Sequence, residues 1–540
     1  MPACFSELEG KRVGAWGVGR ETRSLARELA RCFEQEFSVV ALDAPSRPPG
    51  PHSRPGSARV SRDLRPGSAR GSGDLPPSGG TEVSGAEILP ALLECDVVVR
   101  SPGVSTHRPE LQALRRQGVA VVTSTGLWLA EPRNVPVIGV TGTKGKSTTA
   151  ALTSHLLRGA GLVIELAGNI GRSAIELLGA PTPDCYVIEL SSYQIADLEC
   201  GVDVAVFTNL HPEHADWHGS TAQYYTDKLR LAELAPVRAV VLNACDARLE
   251  EVAAHLRAAP ACSTGVEAHS GAAAARSAGV EARSGAAGVR PEPIEYGCRG
   301  QFTSTDGVVR RGTSTLLCES ALGLRGSHNL LNLCAALTAA ETRAELPGDI
   351  AATMKTFQPL PHRLQSLGFR DSVEWIDDSI STTPESAIAA VAALADRPLV
   401  LIGGGFDRGQ DYRELAAILA TRDVVIIGLP ATGTRLVRQA RDAGIATHHL
   451  LEANDLDRAV ALARERAKRG GSVLLSPGAP SFGQFSSFEH RGTRFAELAG
   501  FGGSPAPEAK GLGGPPAPVR VRCGGPSACE AKGLGGPPAR

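Results

Sequence analysis

A short glycine-rich run, Gly142-Thr143-Lys144-Gly145-Lys146-Ser147, stands between an apolar segment, Val137-Ile138-Gly139-Val140, and a second one of helical character, Ala150–Leu157. Strand, glycine-rich turn and helix in that order bring backbone N–H groups and a helix N-terminus onto phosphate oxygens. This commits the middle of the chain to an α/β fold with its loop at a strand carboxyl end. Lys146 is suited to offset the charge of β- and γ-phosphates, and Ser147 to offer a hydroxyl to Mg²⁺. Gly142, Thr143, Lys144, Gly145 and Thr148 complete the loop. Position 140 is Val where the full phosphate-loop pattern has Gly, so the match is the shorter Gly-Thr-Lys-Gly-Lys-Ser.

The same alternation extends in both directions. Segments 39–42, 96–99, 135–140, 186–190, 204–207, 239–242, 398–402, 423–427 and 472–475 are apolar runs of strand length, with amphipathic stretches such as Thr22–Phe33 and Arg413–Leu419 between them. Such runs predict strands covered on both faces in mainly parallel sheets. Breaks at Glu131–Asn134 and Phe357–Pro359 divide the chain into a Rossmann-like domain (1–134), a central P-loop ATPase domain (135–356) and a second Rossmann-like domain (357–502).

The chain holds 61 Gly and 37 Pro, and the excess is concentrated. Residues 46–80 repeat Arg-Pro-Gly-Ser-Ala-Arg at 54–59 and 65–70; residues 262–290 repeat Gly-Val-Glu-Ala at 265–268 and 279–282; residues 503–540 form a Gly/Pro-rich tail. These stretches have too few large apolar residues to offset the entropy of ordering, and disordered insertions and a disordered tail are expected. Arginines 47, 54, 59, 62, 65 and 70 in the first are read as an expanded linker rather than a nucleic-acid arm. A net charge of −1 argues against a polyanion binder, and no apolar run is long enough to span a membrane. The N-terminus lacks the pattern of a secretory signal, so a cytoplasmic protein is expected. The 12 cysteines contain no CxxC pair, which fits reduced thiols.

Glu189 closes the segment Tyr186-Val187-Ile188-Glu189-Leu190, where a strand-end carboxylate would face the same crevice as the phosphate loop and hold a metal ion. The next strand leads into Thr208-Asn209-Leu210-His211-Pro212-Glu213-His214-Ala215-Asp216-Trp217-His218, a histidine- and acid-rich loop suited to metal or phosphate. A histidine ligand would let Mn²⁺ substitute for Mg²⁺. Lys228, in Tyr224-Tyr225-Thr226-Asp227-Lys228-Leu229-Arg230, reads in isolation as a lysine on a helix surface.

Taken together, Gly-Thr-Lys-Gly-Lys-Ser-Thr (142–148), Glu-Leu-Ser-Ser-Tyr-Gln (189–194), the 208–219 loop and Tyr-x-x-x-Lys-x-Arg (224–230) resemble the Mur ligases of peptidoglycan synthesis. Gly326–Asn332, Leu360-Pro361-His362-Arg363 and Ser476–Ser481 continue the resemblance. It implies an ATP-dependent ligase that phosphorylates the carboxylate of a UDP-linked muramoyl precursor and lets an amino-acid amine attack the acyl phosphate. It further implies that Lys146, His214 and Lys228 are catalytic. Ser147, Glu189, His214 and a carbamylated Lys228 would hold metal. Asn329, Asn332, Arg363 and Asp378 would contact ATP, and Asn169 the muramoyl substrate. Ser101-Pro102-Gly103 resembles the family's pyrophosphate-contacting turn, so Ser101 and Gly103 are expected at the nucleotide sugar. Asp43 is loosely matched to the uracil or ribose, and Gly14-x-x-Gly17-x-Gly19 departs from the usual dinucleotide fingerprint.

Ser476–Phe488, with Ser481 and Phe488, resembles the glutamate-adding branch that acts on UDP-N-acetylmuramoyl-L-alanine. D-glutamate enzymes of that branch carry a lysine in a segment Asp-Ser-Lys-Ala-Thr-Asn; here the segment is Asp378-Ser379-Ile380-Ser381-Thr382-Thr383. Isoleucine cannot pair with a carboxylate, so one charged contact of about 1.5–3 kcal/mol is missing unless Arg408 replaces it. The segment instead resembles a variant that adds L-glutamate, whose product a separate epimerase inverts. D-glutamate is the alternative. A folylpolyglutamate synthase-like ligase and a non-ligating P-loop regulatory protein stand further off.

Overall fold

The computed structural model describes residues 4–42, 80–258, 291–324, 326, 328–394 and 397–502. The segments 46–79, 262–290 and 503–540, for which disorder is expected, lie outside the described residues, as does Asp43.

Three parallel-stranded sheets follow one another along the chain. In the first, β1 (Val13–Trp16), β2 (Val39–Leu42), β3 (Thr81–Ser84), β4 (Val97–Arg100) and β5 (Ala120–Val122) lie in the order β3-β2-β1-β4-β5. The winding reverses where β1 meets β4, and a crevice opens there beyond the strand carboxyl ends. Gly17 and Ser101 face each other across it. Gly17 takes a φ of 82°, and a Cβ there would come to 3.0 Å from that of Ser101.

The central sheet comprises β6 (Val137–Thr141), β7 (Ile164–Gly168), β8 (Cys185–Glu189), β9 (Val204–Phe207), β10 (Ala239–Asn243) and β11 (Glu292–Tyr296), ordered β11-β10-β9-β6-β8-β7. Strands β6, β8 and β9 are buried throughout, as expected of strands with helices on both faces. A small antiparallel sheet, β12 (Phe302–Thr305), β13 (Val308–Arg311) and β14 (Ser314–Cys318), was not foreseen. Its strands are short and mostly polar, burying only Phe302, Val309 and Leu317, so no long apolar run announced it.

In the third sheet β15 (Gln365–Arg370), β16 (Val373–Asp377), β17 (Leu399–Gly404), β18 (Val424–Leu429), β19 (Leu450–Glu452) and β20 (Ser472–Leu475) take the order β15-β16-β20-β17-β18-β19. Only the edge strand β15 runs antiparallel.

The first two sheets share one apolar core. Val13, Leu25, Val97 and Trp128 belong to the same buried cluster as Tyr186, Ile188 and Phe207. Trp128 presents its edge to Tyr186 at 5.1 Å between ring centroids. Separate clusters fill the two faces of the third sheet.

The cysteine reading needs correction. Cys245 and Cys298 form a disulfide with their Cα atoms 5.2 Å apart, while Cys4, Cys32, Cys95, Cys185, Cys200, Cys318 and Cys334 are free. The two bonded residues each lie just past the ends of the paired strands β10 and β11. They are neighbours in space and 53 residues apart in sequence, so spacing along the chain gave no sign of the pair. Among the described residues, no helix is long and apolar enough to cross a membrane.

Candidate active site

The loop after β6 takes the form that its glycines allow. Gly142 and Gly145 have φ of 144° and 82°, conformations in which side chains are strained. A Cβ at Gly142 would collide with the Thr208 hydroxyl, and one at Gly145 with the Asn332 amide oxygen. The loop is tied to the end of β9. The Thr143 N–H donates to the Asn209 carbonyl at 2.9 Å, the Lys144 N–H to Asn209 Oδ1 at 2.8 Å, and Thr208 Oγ1 to the Lys144 carbonyl at 2.6 Å. Lys144 pairs with Glu213 at 2.7 Å. Lys146 opens the helix Lys146–Gly159, donating from Nζ to the Thr143 carbonyl at 2.8 Å. Burial pushes its pKa down. Thr148 is buried in the first turn of that helix.

Glu189, at the end of β8, is buried. Its Oε1 accepts from Asn169 Nδ2 at 3.0 Å, whereas its Oε2 is buried without a hydrogen-bond partner. Lys228 is not on the surface. It is fully buried in the helix Thr221–Leu229 and donates to the Gly142 carbonyl at 2.8 Å. That finding corrects the surface reading: Tyr224, one turn earlier, bonds Thr143 at 2.7 Å and turns this face of the helix under the loop. Burial, with Lys146 adding repulsion, holds the Lys228 amine well below the ordinary lysine range.

The histidine-rich loop divides. His214 has a left-handed φ of 54° and faces the cleft beside Glu213, its pKa lowered by burial. His218 turns inward, where Nδ1 lies 2.6 Å from Asp227 and Nε2 lies 3.0 Å from Ser192. His211 contributes backbone only, its N–H donating to Thr143 Oγ1 at 2.9 Å. Among the described residues, no group of three or more His, Cys, Asp or Glu side chains is placed to hold a metal. Pro102, Asn169, Ser191, Ser192, Tyr193, Lys146, His214 and Lys228 line one partly open cleft of about 210 Å³.

The third sheet contributes from its own carboxyl edge. Arg363 reaches the phosphate loop, with Nη2 donating to Ser147 Oγ at 3.3 Å, and its Nε is buried without a partner. Asp378 follows β16 and accepts from Ser381 Oγ at 2.5 Å, Ser476 Oγ at 2.7 Å and the Leu364 N–H at 3.1 Å. Burial nevertheless pushes its carboxyl up to about 6. Ser481 is buried nearby. Phe488 begins the helix Phe488–Ala499 and accepts at its carbonyl from Ser379 Oγ at 2.8 Å. Arg408 is exposed, its guanidinium 5.7 Å from the Phe482 ring centroid. Asn329 and Asn332 sit behind the phosphate loop, with Asn332 Nδ2 donating to Asn329 Oδ1 at 2.9 Å. Ser101 is buried at the first-sheet crevice, while Gly103 has open space around it.

Sequence reasoning missed Arg491. It is buried in the helix Phe488–Ala499 and donates to Ser379 Oγ at 3.0 Å, the Ser379 carbonyl at 2.8 Å and the Ala479 carbonyl at 3.1 Å, shaping the loop around Ile380. Burial lowers its pKa to about 10. An arginine at the start of a C-terminal helix carries no local signal of this role.

Fold and site together define a P-loop α/β protein whose cleft lies at the carboxyl ends of the first two sheets, with the third sheet reaching the loop through Arg363. Residues 140–340 match the Mur ligase middle domain and residues 362–479 the Mur ligase, glutamate ligase domain. A UDP-N-acetylmuramoyl-L-alanine–L-glutamate ligase of Xanthomonas axonopodis pv. citri is 36% identical over 510 residues, covering 92% of this chain and 97% of that one. One of the same name from a Micromonospora strain is 36% identical, covering 91% and 97%. Among solved structures, a Thermotoga maritima UDP-N-acetylmuramate–alanine ligase matches with a TM-score of 0.52 at 14% identity, covering 90% of this chain and 98% of that one. A MurF of Acinetobacter baumannii matches with a TM-score of 0.51 at 14% identity, covering 75% and 91%. The chain belongs to the Mur ligase family.

Proposed function

We propose that this chain joins L-glutamate to UDP-N-acetylmuramoyl-L-alanine with consumption of ATP, releasing ADP and phosphate. The observation that carries the reading is that a phosphate loop and a buried lysine share one cleft, with the buried carboxylate of Glu189 bonded to the cleft residue Asn169 and keeping a free oxygen, and with Arg363 of the third sheet bonded to Ser147 of the loop. A carboxylate is a poor electrophile. Transfer of the γ-phosphoryl group to it provides a leaving group, and the glutamate amine then displaces phosphate through a tetrahedral intermediate.

The loop N–H groups and Lys146 hold the phosphates and offset their charge. The unpartnered Oε2 of Glu189 and the Ser147 hydroxyl are oxygen donors that would hold a hard cation, which fits Mg²⁺. A bound Mg²⁺ supplies charge neutralisation between phosphate and carboxylate; Mn²⁺ would suit the contribution of His214. Burial lowers the Lys228 pKa and so favours the neutral amine, the form that adds CO₂ to give a carbamate and a proton, and that carbamate would be a further oxygen ligand. In this reading Asn169 would contact the muramoyl substrate, Ser101 and Gly103 its nucleotide end, and Asn329, Asn332 and Asp378 ATP. Arg408, Ser481 and Phe488 would face glutamate.

Position 380 supports L-glutamate. Ile380 offers no cation, and the relatives that match over nearly the whole chain are named for L-glutamate. With L-glutamate as substrate, an epimerase must act on the product, and the chemistry belongs in the cytoplasm. The test is phosphate release with ATP, Mg²⁺ and UDP-N-acetylmuramoyl-L-alanine, comparing the two glutamate enantiomers. Turnover with L-glutamate alone supports the assignment. Turnover with D-glutamate alone transfers the carboxylate contact to Arg408 and removes the need for an epimerase.

A further inference from the structure

Arg100 closes β4, immediately before the turn Ser101-Pro102-Gly103, and its side chain is completely buried. All five of its N–H donors are directed at partners from two sheets. Nε donates to Asp197 Oδ2 at 3.0 Å and Nη2 to Asp197 Oδ1 at 2.7 Å, a two-point pairing with a carboxylate that is itself only 10% exposed. Nη2 also donates to the Tyr193 carbonyl at 2.9 Å. Nη1 holds the turn, donating to the Val104 carbonyl at 2.7 Å and the Ser101 carbonyl at 3.2 Å. The guanidinium lies 5.5 Å from the Trp217 ring centroid, and Ser105 Oγ donates to the Trp217 carbonyl at 2.6 Å.

One side chain of the first sheet therefore grips the segment after β8 and the loop after β9 in the central sheet. Tyr193 lines the cleft with Lys146, and Pro102 of the turn lines it from the other side. The shared apolar core beneath makes the two sheets one body, and Arg100 connects them at the site itself.

We infer that Arg100, anchored by Asp197, is a positioning residue that sets the span between the turn at Ser101–Gly103 and the catalytic cleft. The inference rests on the reading above, in which the turn meets the phosphates of a nucleotide sugar. Such a substrate carries its diphosphate at one end and the reacting carboxylate at the other, and both ends must be seated at once for the carboxylate to meet the γ-phosphoryl group. A lysine at this position would keep the charge but lose the planar fork that serves Asp197, Tyr193 and Val104 together.

Asp197→Asn is the discriminating variant, because it changes no residue of the turn and removes the charge of the anchor together with one of the two oxygens that accept from Arg100. Steady-state kinetics would be measured on the full chain with ATP, Mg²⁺, glutamate and UDP-N-acetylmuramoyl-L-alanine, with UDP as a competing fragment that needs only the turn. Displacement of one end relative to the other should raise KM for the nucleotide sugar and lower kcat by about tenfold or more, with the KM for ATP and the inhibition constant of UDP within about twofold. Arg100→Lys should show the same pattern, and Arg115→Ala, which removes the exposed second partner of Asp197, should behave as wild type. An unchanged KM for the nucleotide sugar, or equal rises in all three constants, overturns the role. Absence of wild-type turnover with this substrate would instead remove the nucleotide-sugar reading itself.

Discussion

Lys228 lies under the phosphate loop with its Nζ 2.8 Å from the carbonyl oxygen of Gly142, and no ion pair to it is present among the described residues. A buried lysine without a carboxylate partner is destabilised as the cation. Its pKa is lowered by burial, so the neutral amine that combines with CO₂ is populated at pH values where an exposed lysine is almost wholly protonated. Removing CO₂ from the assay should depress turnover, and bicarbonate should restore it. Lys228→Ala and Lys228→Arg should each lose about 10²-fold or more in kcat. Turnover indifferent to CO₂, together with a Lys228 peptide lacking the mass of one added CO₂ under native conditions, would remove the carbamate.

Arg363 bridges from the third sheet to Ser147 at 3.3 Å and keeps a buried Nε free for a further acceptor. Both features suit an anion held between the sheets. Arg363→Ala should raise KM for ATP and lower kcat by about 10²-fold in total, with KM for the nucleotide sugar little changed. Isothermal titration with a non-hydrolysable ATP analogue gives an independent readout, and unaltered affinity there would place Arg363 outside the nucleotide site.

Asp378 carries a carboxyl pushed up from 3.8 to about 6, chiefly by burial. The folded protein therefore holds its proton more tightly than the unfolded chain. Its contribution to stability is full below about pH 3.8 and is lost as pH rises through about 6, leaving a penalty of roughly 3 kcal/mol above that. Asp378→Asn should accordingly gain thermal stability relative to wild type at pH 8 and little at pH 4. Equal effects of the substitution at both pH values would contradict this. Its activity should fall, because asparagine lacks the carboxylate charge.

Gly145 combines a φ of 82° with an Asn332 amide oxygen where a Cβ would go. Gly145→Ala should weaken ATP binding by displacing the loop while leaving the central sheet folded. Pairing it with Asn332→Gly should recover at most a small part of the loss, since the space is restored while the backbone strain remains and the proposed contact of Asn332 with ATP is given up. Full recovery would show that steric conflict with Asn332 was the whole effect.

The legibility of these residues follows the range of the interactions that give them their roles. The phosphate loop is local: its glycines, Lys146 and Ser147 act within a few residues of one another, and so does the strand–turn–helix that carries them. Central parallel strands such as β6, β8 and β9 were equally legible, because burial on both faces leaves a continuous apolar run, whereas the half-exposed edge strands β3 and β11 and the three-residue β19 left none. Polar short strands such as β13 left no such run. Among the histidines, composition marked a loop but could not separate His214, which faces the cleft, from His218, which is held inside by Asp227 and Ser192.

The order of chemical motifs along the chain thus determined by itself an α/β protein built around a phosphate loop, because strand pattern, glycine conformation and loop charge are properties of adjacent residues. Tertiary structure alone decided that Lys228 is buried beneath that loop, that Glu189 keeps a free oxygen, that Cys245 meets Cys298, and that Arg100 finds Asp197. Each of those facts depends on groups brought together from separate strands or helices. Burial then removes the water that would otherwise level their charges, and it is this desolvation that turns ordinary side chains into a site.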